Sequence, residues 1–155
     1  MTAVGSHPIN AGSSSPERGW AAKSGLRVVQ ITAVGVGVLL CAVGAIHDVV
    51  NVRSLVRAAA RGDVAERLVP QLMANTVASG VALALPGVVL ILIARDLAAG
   101  QIRAWRTALA IGLFFALAGV AGYVWRPIAG VLIFSLLGAF ISVPLLVWRK
   151  SFSED

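Results

Sequence analysis

The sequence predicts an all-α integral membrane protein: an antiparallel bundle of four transmembrane helices, with a short amphipathic helix between helices 1 and 2. Three observations carry this. Four apolar runs, over about 28–50, 68–94, 105–124 and 128–148, occupy most of the 155 residues. A hydrocarbon core ~30 Å thick is crossed by about 20 apolar residues in a helix rising ~1.5 Å per residue, and each run is that long. Composition agrees: 58% of residues are hydrophobic and 13% charged, where soluble domains carry about 25% charged residues, and the mean hydropathy is +0.87. Tryptophans also bracket the last two runs, at positions 105, 125 and 148. Trp105 and Trp125 lie roughly 30 Å apart along a helix, the spacing of aromatic belts at two headgroup regions.

Helices follow over strands because backbone groups in hydrocarbon must be satisfied within the protein. Barrel strands would alternate apolar and polar residues over ~10-residue segments, and these runs are continuously apolar.

Residues 1–27 are expected to be a disordered cytoplasmic tail. They begin rich in Ser, Gly and Pro, lack the pattern of a cleavable signal peptide, and hold too little apolar surface to offset the entropy of ordering. Span 28–50 then serves as an uncleaved anchor. Its Ala33, Gly37 and Cys41 recur every four residues, the small-residue spacing that lets helix backbones approach closely. The connector that follows carries Arg53, Arg57 and Arg61 on one stripe, with Val52, Leu55, Val56 and Ala59 away from it. That pattern reads as the amphipathic helix, lying at headgroup level. Gly62 is placed to end it and Asp63 to cap the next helix.

In span 68–94, Pro70 suits the first turn, and Pro86–Gly87 is expected to kink the interior. Gly100 is a helix stop, and Trp105 opens the third span at the interface. Ala108, Gly112 and Ala116 form a second stripe of small residues. A tight turn at 123–127 makes spans three and four antiparallel neighbours, with Pro127 as the first helical residue of span four. Residues 151–155 form a short cytoplasmic tail. No motif recurs between the two halves.

Four spans put both tails on one side, together with the second connector. That side holds Arg18, Lys23, Arg27, Arg95, Arg103, Arg106, Arg149 and Lys150; the other holds Arg53, Arg57, Arg61, Arg67 and Arg126. The excess places both termini in the cytoplasm. The net charge of +6 is explained by this bias and by contact with anionic headgroups. No basic cluster is long enough, or interleaved with aromatics, to read as a nucleic-acid groove. Arg in excess of Lys, with abundant Ala, Gly and Val, suits a GC-rich bacterial genome and hence the bacterial inner membrane.

Chemistry-bearing residues are few. His47, Asp48 and Asn51 lie near the outer end of span one, and Gln71, Asn75 and Ser79 near the outer start of span two. The last three share a face, and together the six form a candidate polar patch. An ionisable residue in a membrane is costly and often functional, and histidine can carry a proton. The plainer reading is that His47 and Asp48 mark the exit into water, while the amides bind neighbouring helices.

No catalytic residue, cofactor or metal site is expected. His7 falls in the tail, so two-histidine haem ligation within the bundle is ruled out. His47 and Asp48 supply at most two of the three or four ligands zinc needs. The single cysteine, Cys41, excludes an internal disulfide. Ser135 and Ser142 have no base nearby in sequence and read as packing residues. The function the sequence suggests is a non-catalytic interaction or accessory subunit. Its expected partners are membrane lipids and, on the stripes Gly37/Cys41 and Ala108/Gly112/Ala116, either further copies of the chain or a larger membrane partner. A small transporter or channel subunit, with a site near His47 and Asn75, is the alternative. A membrane enzyme acting on lipid or quinone is a third.

Overall fold

A computed structural model describes residues 16–125, 127 and 129–152, and the remaining expectations for the two tails lie outside them. Among these residues there are four α-helices: α1 (Pro16–Ala60), α2 (Val69–Ala98), α3 (Ile102–Trp125) and α4 (Leu132–Val147). Short 3-10 turns lie before α2 and on both sides of α4. α1, α2 and α3 are each long and apolar enough to cross a membrane; α4 is apolar but shorter.

α1 differs from expectation at both ends. It begins at Pro16, inside the segment read as disordered, with proline in the first turn where its missing N–H costs nothing. It also runs unbroken to Ala60, so no separate amphipathic helix lies between the first two spans. Nothing between Val50 and Gly62 breaks a helix, and Ala58–Ala60 favour one. The arginine stripe is the outer end of α1 itself.

Gly62 ends α1 at φ +76. Its N–H donates to Ala59 O and that of Asp63 to Ala58 O, the paired bonds that close a helix C-terminus. Gly100 repeats the device after α2, at φ +77, with Gly100 donating to Leu97 O and Gln101 to Asp96 O. A side chain is strained at either position. Asp63 does not cap α2; it accepts a hydrogen bond from Arg61 Nε at 2.8 Å. Pro70 sits in the first turn of α2, and Pro86 lies inside a helix that continues past it.

α4 starts later than expected. Pro127 lies outside any helix, and a 3-10 turn at Ala129–Val131 precedes Leu132. Ser151 and Phe152 fold back onto the bundle: Phe152 is buried, 6.3 Å from the Trp105 ring.

The helices pack as two hairpins, α1 on α2 and α3 on α4, joined mainly through α1 and α4. The shared core gathers Val29, Ala33, Val36 and Leu40 of α1 with Leu90 and Leu97 of α2, Ala104, Trp105 and Ala108 of α3, and Ile141 and Leu145 of α4. It lies toward the end where α1 begins and α4 ends, called here the base. Beyond Leu40 and before Leu90, the only buried residues described on α1 and α2 are Gly44, Gly80 and Gly87. The outside is apolar: Leu92 is 72% exposed, Leu117 70% and Phe140 68%. A water-soluble chain of this size rarely shows so continuous an apolar surface.

Candidate functional site

Both stripes of small residues are used inside the chain. On the first seam Gly37 meets the Gly87 carbonyl, Gly44 meets the Gly80 carbonyl, and the Cys41 thiol donates to Ala84 O at 3.5 Å. On the second, Gly112 packs on Ile141 and Ser142, Gly138 on the backbones of Ala116 and Gly112, and Gly119 on Ser135. Ser135 Oγ donates to Ala116 O at 2.9 Å. Ala108 is fully buried. Hydrogens at Cα in place of side chains let the backbones touch, which gains dispersion contact along the whole seam.

The six residues of the expected polar patch are distributed as follows. His47 Nδ1 and Asp48 Oδ1 are 3.5 Å apart, with side chains 36% and 25% exposed. The Asp48 carboxylate lies against Gly80 of α2, where any Cβ would collide with it. Asn51 donates to its own helix, Nδ2 to His47 O at 2.8 Å, and Ser79 Oγ donates to Asn75 O at 2.8 Å. Gln71, Asn75 and Ser79 are exposed. The α2 face turned toward α1 carries Gly80, Ala84 and Gly87 instead. The structure thus joins His47 to Asp48, and Asp48 to Gly80, and leaves the α2 amides on another face. Gly80 is not in the patch that the sequence suggests, although Gly80, Ala84 and Gly87 repeat the four-then-three spacing of Gly37, Cys41 and Gly44 in α1.

Trp105 also has a different place from the interfacial one expected. Its ring is buried, and Nε1 donates to Leu145 O at 2.8 Å. α4 ends two residues later, so this carbonyl belongs to the last turn that lacks helical donors, and the indole satisfies it. The Arg149 guanidinium lies 5.7 Å from the same ring, within cation–π range.

Among the described residues no three His, Cys, Asp or Glu side chains converge to hold a metal ion. His47 with Asp48 is an imidazole beside a carboxylate. The charges are uneven. Lys23, Arg27, Arg95, Arg103, Arg106, Arg149 and Lys150 surround the base, together with Asp96. The outer end has Arg53, Arg57, Arg61 and Arg67 with Asp63 and Glu66. Searches against protein families, curated proteins and solved structures find no match to this chain.

Proposed function

We propose that the chain is a four-span protein of the bacterial inner membrane, with both termini cytoplasmic, acting as a non-catalytic interaction or accessory subunit. α4 supports a fourth crossing. It lies antiparallel to α3 from the Trp105–Leu145 bond to the Gly122–Val131 contact. With the 3-10 turn before it, at ~2 Å per residue, it reaches roughly 30 Å, enough for the hydrocarbon layer. The seven basic residues at the base support a cytoplasmic location for that end. Alkaline carbonate should leave the protein in the membrane pellet. In a Cys41→Ala background, an impermeant maleimide on intact spheroplasts should label Asp63→Cys and not Lys150→Cys; the reverse pattern inverts the topology.

The observation that carries the interaction reading is the outer arm. Gly100 stands beside Leu26 and Ser151, which sets α1 and α3 level at the base. From there α1 extends ~52 Å to Ala60, and α3 only ~36 Å. The α1–α2 hairpin therefore overshoots α3–α4 by roughly 15 Å, carrying exposed Val56, Leu68 and Leu72 beside Arg53 and Arg57. Since both stripes of small residues are already used within the chain, a partner or second copy would dock on this arm. A photo-crosslinking residue at Val56 or Leu72 should trap one species of defined mass in cells. No adduct from either position, while one at lipid-facing Phe114 behaves the same, would remove this reading.

The half-buried His47–Asp48 pair favours a second reading, a small transporter or channel subunit. It requires His47→Ala or Asn75→Ala to abolish flux in reconstituted vesicles; normal flux in both sinks it.

A further inference from the structure

We propose that the segment after α4, residues 148–152, is a strap that locks the two hairpins into one body, and that its release lets them pivot against each other about the base. Three contacts lay it across the junction. The Trp148 indole lies directly against Gly25 of α1, where any Cβ would collide with it. The Ser151 carbonyl stands over Gly100, in the turn between α2 and α3, with Leu26 of α1 beside it. Phe152 is 8% exposed, its ring 6.3 Å from that of Trp105 on α3, and the Arg149 guanidinium lies 5.7 Å from the same indole. Five residues thus touch α1, the α2–α3 turn and α3 at once. Their own backbone is tied into a 3-10 turn, Ser151 N–H donating to Trp148 O at 2.9 Å and Phe152 N–H to Arg149 O at 3.2 Å. The strap therefore seats or lifts as a unit.

Farther from the base, each hairpin holds itself rather than its neighbour. Gly44 meets Gly80 within α1–α2, Gly112 meets Gly138 within α3–α4, and Phe115 stacks on Phe134 of its own hairpin at 6.0 Å between ring centres. The buried core that the hairpins share runs from Val29 to Leu40 on α1 and from Leu90 to Leu97 on α2, the half of that hairpin nearer the strap. Even there α1 and α4 are not packed throughout. One turn from the Gly25–Trp148 contact, an apolar groove of about 620 Å³ parts Val28 and Thr32 from Phe140 and Val143. Packed units joined at one end pivot about the few contacts at their hinge, and here the strap supplies them. The lever is long. Val50 stands ~37 Å along α1 from Gly25, so a tilt of about 10° at the base carries it roughly 6 Å.

Pulsed spin-label distances in the full chain, in a Cys41→Ala background, test this. Labels at Val50→Cys and Val124→Cys, both exposed, report between hairpins. Pairs at Ile31→Cys with Val77→Cys, and at Leu113→Cys with Ile133→Cys, also exposed, report within each hairpin. With the strap intact, the distance between hairpins should be narrowly distributed. Trp148→Ala with Phe152→Ala, which removes both ring contacts, should broaden it by roughly 6 Å and leave the two distances within hairpins unchanged. Gly25→Leu, which keeps every strap residue and wedges Trp148 off α1, should broaden it likewise. Leu146→Ala, exposed near the same end of α4, should change none of the three. An unaltered distance between hairpins in both strap variants overturns the proposal. So does loss of the distances within hairpins, since these residues would then be core of the whole bundle and not a strap between its halves.

Discussion

The two hairpins are built by one device and finished differently. In both, glycines oppose backbone across a helix–helix seam, at Gly37–Gly87 and Gly44–Gly80 in one and Gly112–Gly138 in the other. The α3–α4 hairpin is closed at its base by the Trp105 indole on Leu145 O and is about the length of a membrane crossing. The α1–α2 hairpin runs on past that length, and where its four-helix cover ends it carries a carboxylate, Asp48, in the seam. Close backbone approach thus sets how helices pair, whereas what occupies the seam follows its place along the hairpin: apolar groups and the small hydroxyls of Ser135 and Ser142 in the α3–α4 seam, and a carboxylate only toward the outer end of the longer one.

The largest effects should come from filling a seam where backbone meets backbone. A Cβ at Gly138 collides with Ala116 N and Gly112 O, neither of which can rotate away. Gly138→Leu should cost about 3 kcal/mol or more, at the upper end for overpacking, read as loss of a monodisperse species after mild heating in detergent. Gly87→Leu should do the same to the other hairpin, through Gly37 O and Leu40 Cβ. Gly112→Leu sharpens the contrast between internal and external seams: it should destabilise the monomer itself. A stable monomer that merely loses self-association would return the α3 stripe to a partner.

Trp105→Phe comes next. It keeps the ring and removes the only indole donor on Leu145 O. A buried carbonyl left unpaired costs roughly 2 kcal/mol, so thermal unfolding followed by circular dichroism should shift clearly downward. An unchanged transition would mean that α4 closes without the indole.

The sequence carried the helical class, the small-residue stripes and both glycine stops, because each depends on local chemistry: unbroken apolar runs, spacing by four, and the need for a positive φ. It misled wherever tertiary contact decided. Residues 51–60 look amphipathic in isolation, yet helix propagation from α1 costs less than ending and restarting a helix. Trp105 looks interfacial by position, but the turn at Gly100 and the return of Phe152 cover it. The polar patch was assembled from matching depth alone. Depth does not fix which side of α2 faces α1, and Gln71, Asn75 and Ser79 lie off the face set by Gly80, Ala84 and Gly87.

A smaller effect tests the carboxylate in the longer hairpin. At Gly80 an added methyl meets the end of the Asp48 side chain rather than backbone, and that side chain, 25% exposed, can turn toward solvent. Gly80→Ala should therefore cost only about 1 kcal/mol, and Asp48→Ala should recover most of it in a double-mutant cycle. Additive losses would mean that the two groups do not share this space.

The smallest effect has the opposite sign. Ser142 is 5% exposed, and its Oγ has no hydrogen-bond partner among the described residues; it lies against the Cα of Gly112. Ser135, two turns away on the same helix, spends its hydroxyl on Ala116 O. Both read alike in sequence as packing serines, but they should respond differently. Ser135→Ala removes a made hydrogen bond and should lower stability by about 1 kcal/mol, near the value for interhelical bonds in membranes. Ser142→Ala relieves a buried, unpaired hydroxyl and should leave the midpoint unchanged or raise it, by up to about 1 kcal/mol. If Ser142→Ala destabilised as much as Ser135→Ala, its hydroxyl would have to donate to a helical carbonyl in the folded protein.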